Sequence, residues 1–474
     1  MDIVFPTTST VGAKPQEGGG SLLNAFVEQL STGARKQIVR KRVPGMTKIV
    51  EADARINCRG IAPFGANAFV AFNDRLFELS GSGTSYFMDD RGQLSGTKPI
   101  TVAQNNRAPD PQIVAVTENG AFQFFSGGAP ASYPDSDVGF PNSVCFGDGY
   151  FFFTYGDGTC RSSGLNSTDI NTNDRITTEA GNGSLLRGVF FRQELWLFCQ
   201  DHIEVWQDTA NANGFPFSRS TVIPRGLKGQ WAVAGEEEGF SNVLIWVGDD
   251  NTVYNLNGYA PVRISTHDVE RSIGTVTDVS TLRATVYMSE GHAIWQIKGP
   301  GFTWCYDLTT SQWHQRASYG RPEWMGEQTA FYNGSWIVGD DTTGKLYRMN
   351  AQDFTEDGAN IIWEVTSAQM ASFPNRFSVP RADFDFDMGV GLDTGSSIDV
   401  TDPRVLVSYS DDGGYYYSEP EEFILGRQGQ ASTRVTVLQT GEVGPYGRQW
   451  KIQCPDPVYC GLLGGDMQVV QRKS

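Results

Sequence analysis

The sequence predicts an all-β chain: a β-propeller of six or seven blades over residues 55–365, an extended N-terminal arm and platform segment over 1–54, and a β-sandwich-like platform domain over 366–474. Three observations carry this expectation. The 474 residues include 54 Gly and 22 Pro with 12% aromatics, a mix that favours strands joined by many turns over long helices. Short apolar strands alternate with turns of Asn, Asp and Gly, the pattern of β-hairpins. Most of those turns recur at about the spacing of a propeller blade.

The hairpins run FVAFNDRLFEL (69–79), IVAVTENGAFQFF (113–125), SVCFGDGYFFFT (143–154), GVFFRQELWLF (188–198), VLIWVGDDNTVYNL (243–256), ATVYMSEGHAIWQI (284–297) and TAFYNGSWIV (329–338), with a further strand, KLYRM, at 345–349. Their turn centres near Asp74, Asn119, Asp148, Gln193, Asp249, Glu290 and Asn333 are separated by 45, 29, 45, 56, 41 and 43 residues. A four-stranded blade cannot bury both faces alone, so blades pack radially. Six blades result if the Asn119 and Asp148 hairpins share one, seven otherwise; hairpins of this kind also build sandwiches and barrels. The segment GFTWCYDLTTSQWHQRA (301–317), a strand, a polar turn and a returning Trp313, resembles a kelch-type blade.

The flanks read differently. SLLNAFVEQL (21–30) places Leu22, Leu23, Phe26, Val27 and Leu30 at helical spacing and predicts a short amphipathic helix. Residues 6–20 are too rich in Gly, Pro and Thr to pack alone, which predicts an arm ordered against a partner. After a Pro-bearing entrance at 371–381, alternating strands at 382–388, 403–410, 433–440 and 448–454 suit a sandwich. In the first of these, Phe384 and Phe386 share one face and Asp383, Asp385 and Asp387 the other.

Net charge is −17, with +4 on residues 1–60 and −21 on the remainder, the reverse of a nucleic-acid grip. The basic run Arg35, Lys36, Arg40, Lys41, Arg42 and Lys48 suits either a solvated segment or contact with an acidic partner. The start MDIVFPTTST lacks a signal peptide's basic and apolar regions, and no apolar run reaches bilayer-spanning length, so a soluble chain with no membrane insertion is expected. Seven scattered cysteines, never spaced CxxC, predict buried free thiols in a reducing compartment and no zinc ribbon. The sequons at Asn166, Asn182 and Asn333 carry little weight without an export signal.

Catalysis needs convergent polar groups, and the standard constellations are absent from the sequence: His202, His267, His292 and His314 form no HExxH or HxxxH pair, and no phosphate-binding Gly-rich loop occurs. No catalytic residue, metal or cofactor is expected; His292 and His314 are expected to be structural, and the Glu236–Glu238 run to be an exposed loop. Ser410, Asp412, Gly414 and Tyr417 resemble the Asp-box of sialidases, S-x-D-x-G-x-x-W, with Tyr for Trp; the Asp would accept backbone N–H bonds and the Gly supply positive φ, making a structural turn. This turn and 11 tryptophans able to stack on sugars support an alternative, a carbohydrate-binding or glycoside-cleaving propeller, although Trp196, Trp206, Trp246, Trp295 and Trp336 fall in strands and suit a core.

Taken in order, several segments resemble the packaged-DNA-stabilisation or tail-hub (nozzle) proteins of short-tailed bacteriophages: Asn24, Glu28 and the RVPG of Arg42 to Gly45, then the hairpins and the Trp313 segment more loosely, then residues 402–435, a bend at 441–447, Arg448, and residues 455–469. Val437 and Leu438 depart from the family, which usually has an aromatic or Trp there. The resemblance implies a non-enzymatic virion structural protein, a six-fold homo-oligomeric ring below the head–tail adaptor protein. It would dock tail fibre, spike or needle proteins, retain packaged DNA, pass dsDNA non-specifically during ejection, and be assembled in the bacterial host cytoplasm. On this resemblance, Arg35, Lys36, Arg40, Lys41 and Arg42 would meet the adaptor.

Overall fold

The structure, a computed structural model, describes residues 1–34, 36–52, 55–211, 214–392 and 398–472. Seven blades surround a central axis. Five are four-stranded sheets of consecutive strands over 58–93, 101–132, 143–177, 185–223 and 233–263, and the sixth, over 283–315, is four consecutive strands at one end of a larger sheet. The seventh takes Gly326–Tyr332, Ser335–Asp340 and Lys345–Asn350 from one end of the propeller and its outer strand, Gly45–Glu51, from the other. That strand pairs antiparallel from Lys345↔Glu51 to Asn350↔Gly45, and the first strand of this blade packs against the first strand of blade 1, closing the ring.

All seven predicted hairpins are present, and the Asn119 and Asp148 turns belong to separate blades. The uneven gaps have a simple origin. The strongest turn joins the first and second strands in blades 3, 4, 6 and 7 but the second and third in blades 1, 2 and 5. The gap therefore shrinks to 29 from blade 2 to 3 and stretches to 56 from blade 4 to 5. Asn73, Asp148, Gln193, Glu290 and Asn333 hold φ between 45° and 62°, the left-handed conformation that tight hairpins demand and that Asn and Asp tolerate best.

Residues 21–30 are not a helix. They form two strands, Ser21–Leu23 and Ala25–Gln29, hinged at Asn24 with φ 52°. The Asn24 amide donates to the carbonyls of Ala317 and Ile362 at 2.9 Å each, and its oxygen accepts from the Ala317 N–H at 2.9 Å. These bonds fix the point at which the chain leaves one sheet for another. Of the apolar residues that mimic a helical stripe, Leu22, Phe26 and Val27 are buried and Leu23 and Leu30 half-buried, and the consecutive burial of Ala25, Phe26 and Val27 shows that this strand is covered on both faces.

The C-terminal domain is a sandwich of two sheets. One carries Ser21–Leu23, Trp363–Thr366, Gln449–Cys454, Arg404–Ser410 and Glu421–Ile424; the other carries Ala25–Gln29, Ile38–Arg42, Gly461–Arg472, Arg376–Phe386 and Val435–Leu438. Phe384 against Trp450 (5.3 Å between ring centroids) and Trp363 against Phe386 (6.4 Å) fill the space between them. The first sheet does not end at the domain. Leu23 pairs in parallel with Gln315 of blade 6, so nine strands run without a break from the propeller axis to Glu421–Ile424.

The arm is ordered against its own chain, which corrects the expectation of an outside partner. Ile3 and Phe5 enter the sandwich core, the Ser9 N–H donates to the Trp313 carbonyl at 2.8 Å, and Gln16 Nε2 donates to the Asp412 carbonyl at 3.3 Å.

Where the arm, blade 6 and blade 7 meet lies a buried ionic knot. Arg316, with no solvent exposure, donates to the Tyr287 hydroxyl (3.0 Å), the Pro44 carbonyl (2.8 Å) and Glu356 Oε1 (3.1 Å), and its guanidinium lies 4.1 Å from the centroid of the Trp324 ring. Glu356 also accepts from Trp324 Nε1 at 2.7 Å and Ser318 Oγ at 2.5 Å. Removing one partner of such a pair strands a buried charge. Glu356→Gln is therefore expected to lower stability by about 3–5 kcal/mol, measured as a drop in the urea midpoint; an unchanged midpoint would show that water reaches Arg316.

Candidate functional site

The basic run does not form a surface patch. Arg35 lies outside the described residues. Lys36 is exposed at the turn before strand Ile38–Arg42, and Lys41 is half-buried in an ion pair with Glu28. Arg40 and Arg42 point inward, a correction to the expected adaptor contact. Arg40 donates to the carbonyls of Pro6 and Phe5 at 2.8 Å each, and burial pushes its guanidinium down to about 10. Arg42 binds the carbonyls of Asp456 and Cys454 and lies over the Phe354 ring. These guanidiniums satisfy main-chain oxygens that the sheets leave unpaired.

Lys36 borders a trough of about 840 Å³ along the outward face of Arg376–Phe386. Asp383, Asp385 and Asp387 line it, together with Asp2 and Asp466. Arg381 grips Asp383 with two bonds, 2.7 and 2.8 Å, and holds that carboxyl below its usual range. Asp387 accepts from the Tyr459 hydroxyl at 3.0 Å, and the Met1 ammonium lies 3.0 Å from Asp466. Among the described residues no group of His, Cys, Asp or Glu has the arrangement of a metal site. The trough is a solvated sheet face on which these five carboxylates outnumber the cations Lys36, Arg381 and Arg434.

At one end of the sandwich, the Ser410–Tyr417 turn is built from its own side chains. Asp412 Oδ1 accepts from Ser410 Oγ (2.7 Å) and from the N–H groups of Tyr415 and Tyr416 (3.0 and 3.1 Å), while Gly413 and Gly414 take φ of 86° and 91°. The Tyr417 hydroxyl donates to Gln449 at 2.7 Å, and fully buried Arg448 binds Asp411 through two 2.7 Å contacts. The turn is thereby rigid and projects Tyr415 and Tyr416 outward, the latter 81% exposed. Phe373 and Tyr446, on loops joined by the Gln369–Tyr446 and Met370–Arg448 hydrogen bonds, are exposed at the same end. Fixed aromatics of this kind make good contact anchors. They were missed in the sequence because nothing in a lone Tyr or Phe distinguishes a loop tip from a core strand. Ten of the 11 tryptophans are buried, and Trp231 is half-buried.

The first strands of all seven blades line an axial cavity of about 400 Å³. Glu236 and Glu237, expected in an exposed loop, line this cavity instead. Glu236 pairs with Arg187 at 2.9 Å, and Arg187 lies over the Trp231 ring. Glu237 accepts from the Gly235 N–H at 2.7 Å, while burial and the neighbouring Glu236 push its carboxyl up to about 8. The histidines of blade 6 are structural: His292 Nδ1 is 2.7 Å from Asp307, and burial pushes fully enclosed His314 down to about 4. Because Glu237 ionises at a higher pH in the folded than in the unfolded chain, it lowers stability progressively as pH rises from about 4.5 to about 8. Glu237→Gln should remove that slope and raise the melting temperature at pH 8 but not at pH 4; an equal gain at both would show that its charge is not the cause.

No curated protein matches the sequence. Many solved structures are similar, three of them each at 10% identity. These three are the WD40 beta propeller domain of Doa1 (TM-score 0.44, covering 65% of this chain and 97% of that one), PorZ of Porphyromonas gingivalis (0.40, 71% and 44%) and Raptor of Chaetomium thermophilum (0.45, 65% and 30%). The chain thus spans less than half of the PorZ and Raptor chains. The profile of the family described as "Bacteriophage P22 Gp10, beta-propeller" matches residues 45–353, beginning at the first residue of the closing strand and ending just past blade 7. With well over half of its length matched in this way, the chain belongs to that family of phage structural proteins.

Proposed function

We propose that the chain is the repeating subunit of a hub or nozzle in the tail of a short-tailed phage: a ring of six below the head–tail adaptor. The ring retains the packaged genome, carries fibres, spikes or a needle, conducts DNA during ejection, and is assembled in the host cytoplasm. Family membership over residues 45–353 is the observation that carries this proposal. Charge supports it. Residues 61–365 carry −16, and in this reading part of that charge faces the channel, where an acidic wall would repel phosphates and let a duplex slide with few counterion-releasing contacts.

The division into an N-terminal segment (1–54), a propeller (55–365) and a C-terminal platform (366–474) enters here as a functional one: the two chain ends form the platform that meets the adaptor. Of the five residues expected to meet the adaptor, Lys36 and Lys41 are the described ones that reach solvent, so adaptor contact through these five falls to them. Charge reversal at Lys36 should weaken docking and flatten its salt dependence. Docking of Lys36→Glu that is unchanged at every salt concentration would remove this segment from the interface.

The decisive measurement is native mass with negative-stain class averages, on the chain alone and mixed with the adaptor. A six-fold particle of about 312 kDa, six times the 52.0 kDa chain, is expected. A persistent monomer under both conditions would overturn the ring and favour carbohydrate recognition by Phe373, Tyr415, Tyr416 and Tyr446.

A further inference from the structure

The axial cavity of about 400 Å³ has two kinds of wall. Phe64, Phe146 and Phe190, each at or next to the last residue of the first strand of its blade, line it together with Val102, and all four are only half-buried. The wall contributed by blade 5 is ionic. Residues 235–244 join the first two strands of that blade and carry Glu236 and Glu237 to the cavity, beside Trp231 and Arg187 of blade 4. These four residues are half-buried as well, so solvent reaches the site. Apolar surface left open on the axis, next to a few convergent polar groups, is the make-up of a small-molecule pocket.

The charges on the ionic wall do not balance. Arg187 is committed to Glu236 at 2.9 Å, with its guanidinium 5.4 Å from the centroid of the Trp231 ring. The other cation lining the cavity, Arg283, is committed to Glu327 at 2.9 Å. Glu237 is left without a cation. Its Oε2 accepts the Gly235 N–H at 2.7 Å, and its Oε1 has no partner among the described residues. Glu236 Oε2 and Arg187 Nε are buried without partners beside it. A carboxylate held on a cavity wall with no counter-charge costs stability, and a ligand that supplies the charge restores it.

We propose that the axial cavity binds the primary ammonium group of a short aliphatic diamine or polyamine, with Glu237 as its counter-charge and the phenylalanine wall against its methylenes. The site lies within one chain and stands whether or not the chain forms a ring. An ammonium has three donors, enough for Glu237 Oε1, for the unpaired oxygen of Glu236 and for water. Half-exposed phenyl rings take alkyl chain on their faces and tolerate a cation close by. A metal ion fits this wall poorly. It needs several oxygen ligands, one of the two carboxylates is already paired with Arg187, and no group of His, Cys, Asp or Glu among the described residues has the arrangement of a metal site. An anion is turned away by Glu237.

The test titrates the full-length chain with putrescine in a calorimeter. Saturable binding of one diamine per chain is expected. Because Glu237 must be ionised to pair with the ammonium, affinity should rise by about tenfold or more between pH 6 and pH 8. At pH 7 the heats in two buffers of different ionisation enthalpy should differ, reporting a proton released on binding. Glu237→Gln keeps an acceptor for the Gly235 N–H and removes the charge; it should bind putrescine about ten- to a hundredfold more weakly and lose the pH dependence. Butanediol, of the same length but uncharged, and potassium chloride at matched ionic strength should give no saturable heat. Binding of the diol, an unchanged affinity in Glu237→Gln, or no saturable heat from putrescine at pH 8 would overturn the site.

Discussion

A propeller is stable only when its ring is closed, and here closure takes a strand from the far end of the chain. Strand Gly45–Glu51 completes a blade whose other three strands begin at Gly326, so the last blade cannot form until nearly 300 residues have been traversed. Much of the remaining architecture follows. Once Gly45–Glu51 is committed to the rim of blade 7, residues 1–44 must run along the outside of the ring next to blade 6. Ser21–Leu23 and Ala25–Gln29 thereby become one strand in each sheet of the sandwich, and the residues before them lie along its core. What the sequence presents as an arm is the bracket joining the two parts.

The seams of this arrangement are held by arginines. Where sheets end or change partners, main-chain carbonyls lose their ladder bonds, and an unpaired buried carbonyl is costly. Arg316 serves Pro44, Arg40 serves Phe5 and Pro6, Arg42 serves Cys454 and Asp456, and Arg448 serves Thr440. A planar guanidinium with five donors reaches two or three such oxygens at once, which a lysine cannot do. Two of these four cations, Arg316 and Arg448, also meet a carboxylate, so their burial is compensated by charge as well as by hydrogen bonds.

Local features were legible in the sequence. The hairpins could be read because their turns need left-handed residues, and Asn73, Asp148 and Asn333 advertise them. The Asp412 turn was legible for the same reason: its bonds lie within seven residues. What depends on distant partners was not. Leu22, Leu23, Phe26 and Val27 fit a helix as well as two strands, and only the carbonyls of Ala317 and Ile362, some 300 residues away, make Asn24 a hinge. The basic run reads as surface because no periodicity signals that Arg40 and Arg42 will find carbonyls at Phe5 and Cys454. Glu236 and Glu237 look solvated for a related reason: the cavity they line exists only once seven blades have closed around it.

The distribution of charge adds a constraint on how copies of this chain can meet. Residues 61–365 carry −16, whereas residues 1–60 carry +4 and residues 366–474 carry −5, so the bracket and sandwich together are close to neutral. Like-charged propellers brought within the ~8–10 Å screening length at physiological ionic strength repel one another. A near-neutral sandwich with fixed aromatics at one end does not. In a closed ring, contacts between neighbours would therefore concentrate on the sandwich, with the propellers held apart. Because the nine-stranded sheet makes sandwich and blade 6 one continuous element, a ring built through the sandwiches would also fix the orientation of every propeller. In such a ring the shared sheet would supply geometrically what direct contact between acidic propellers would not.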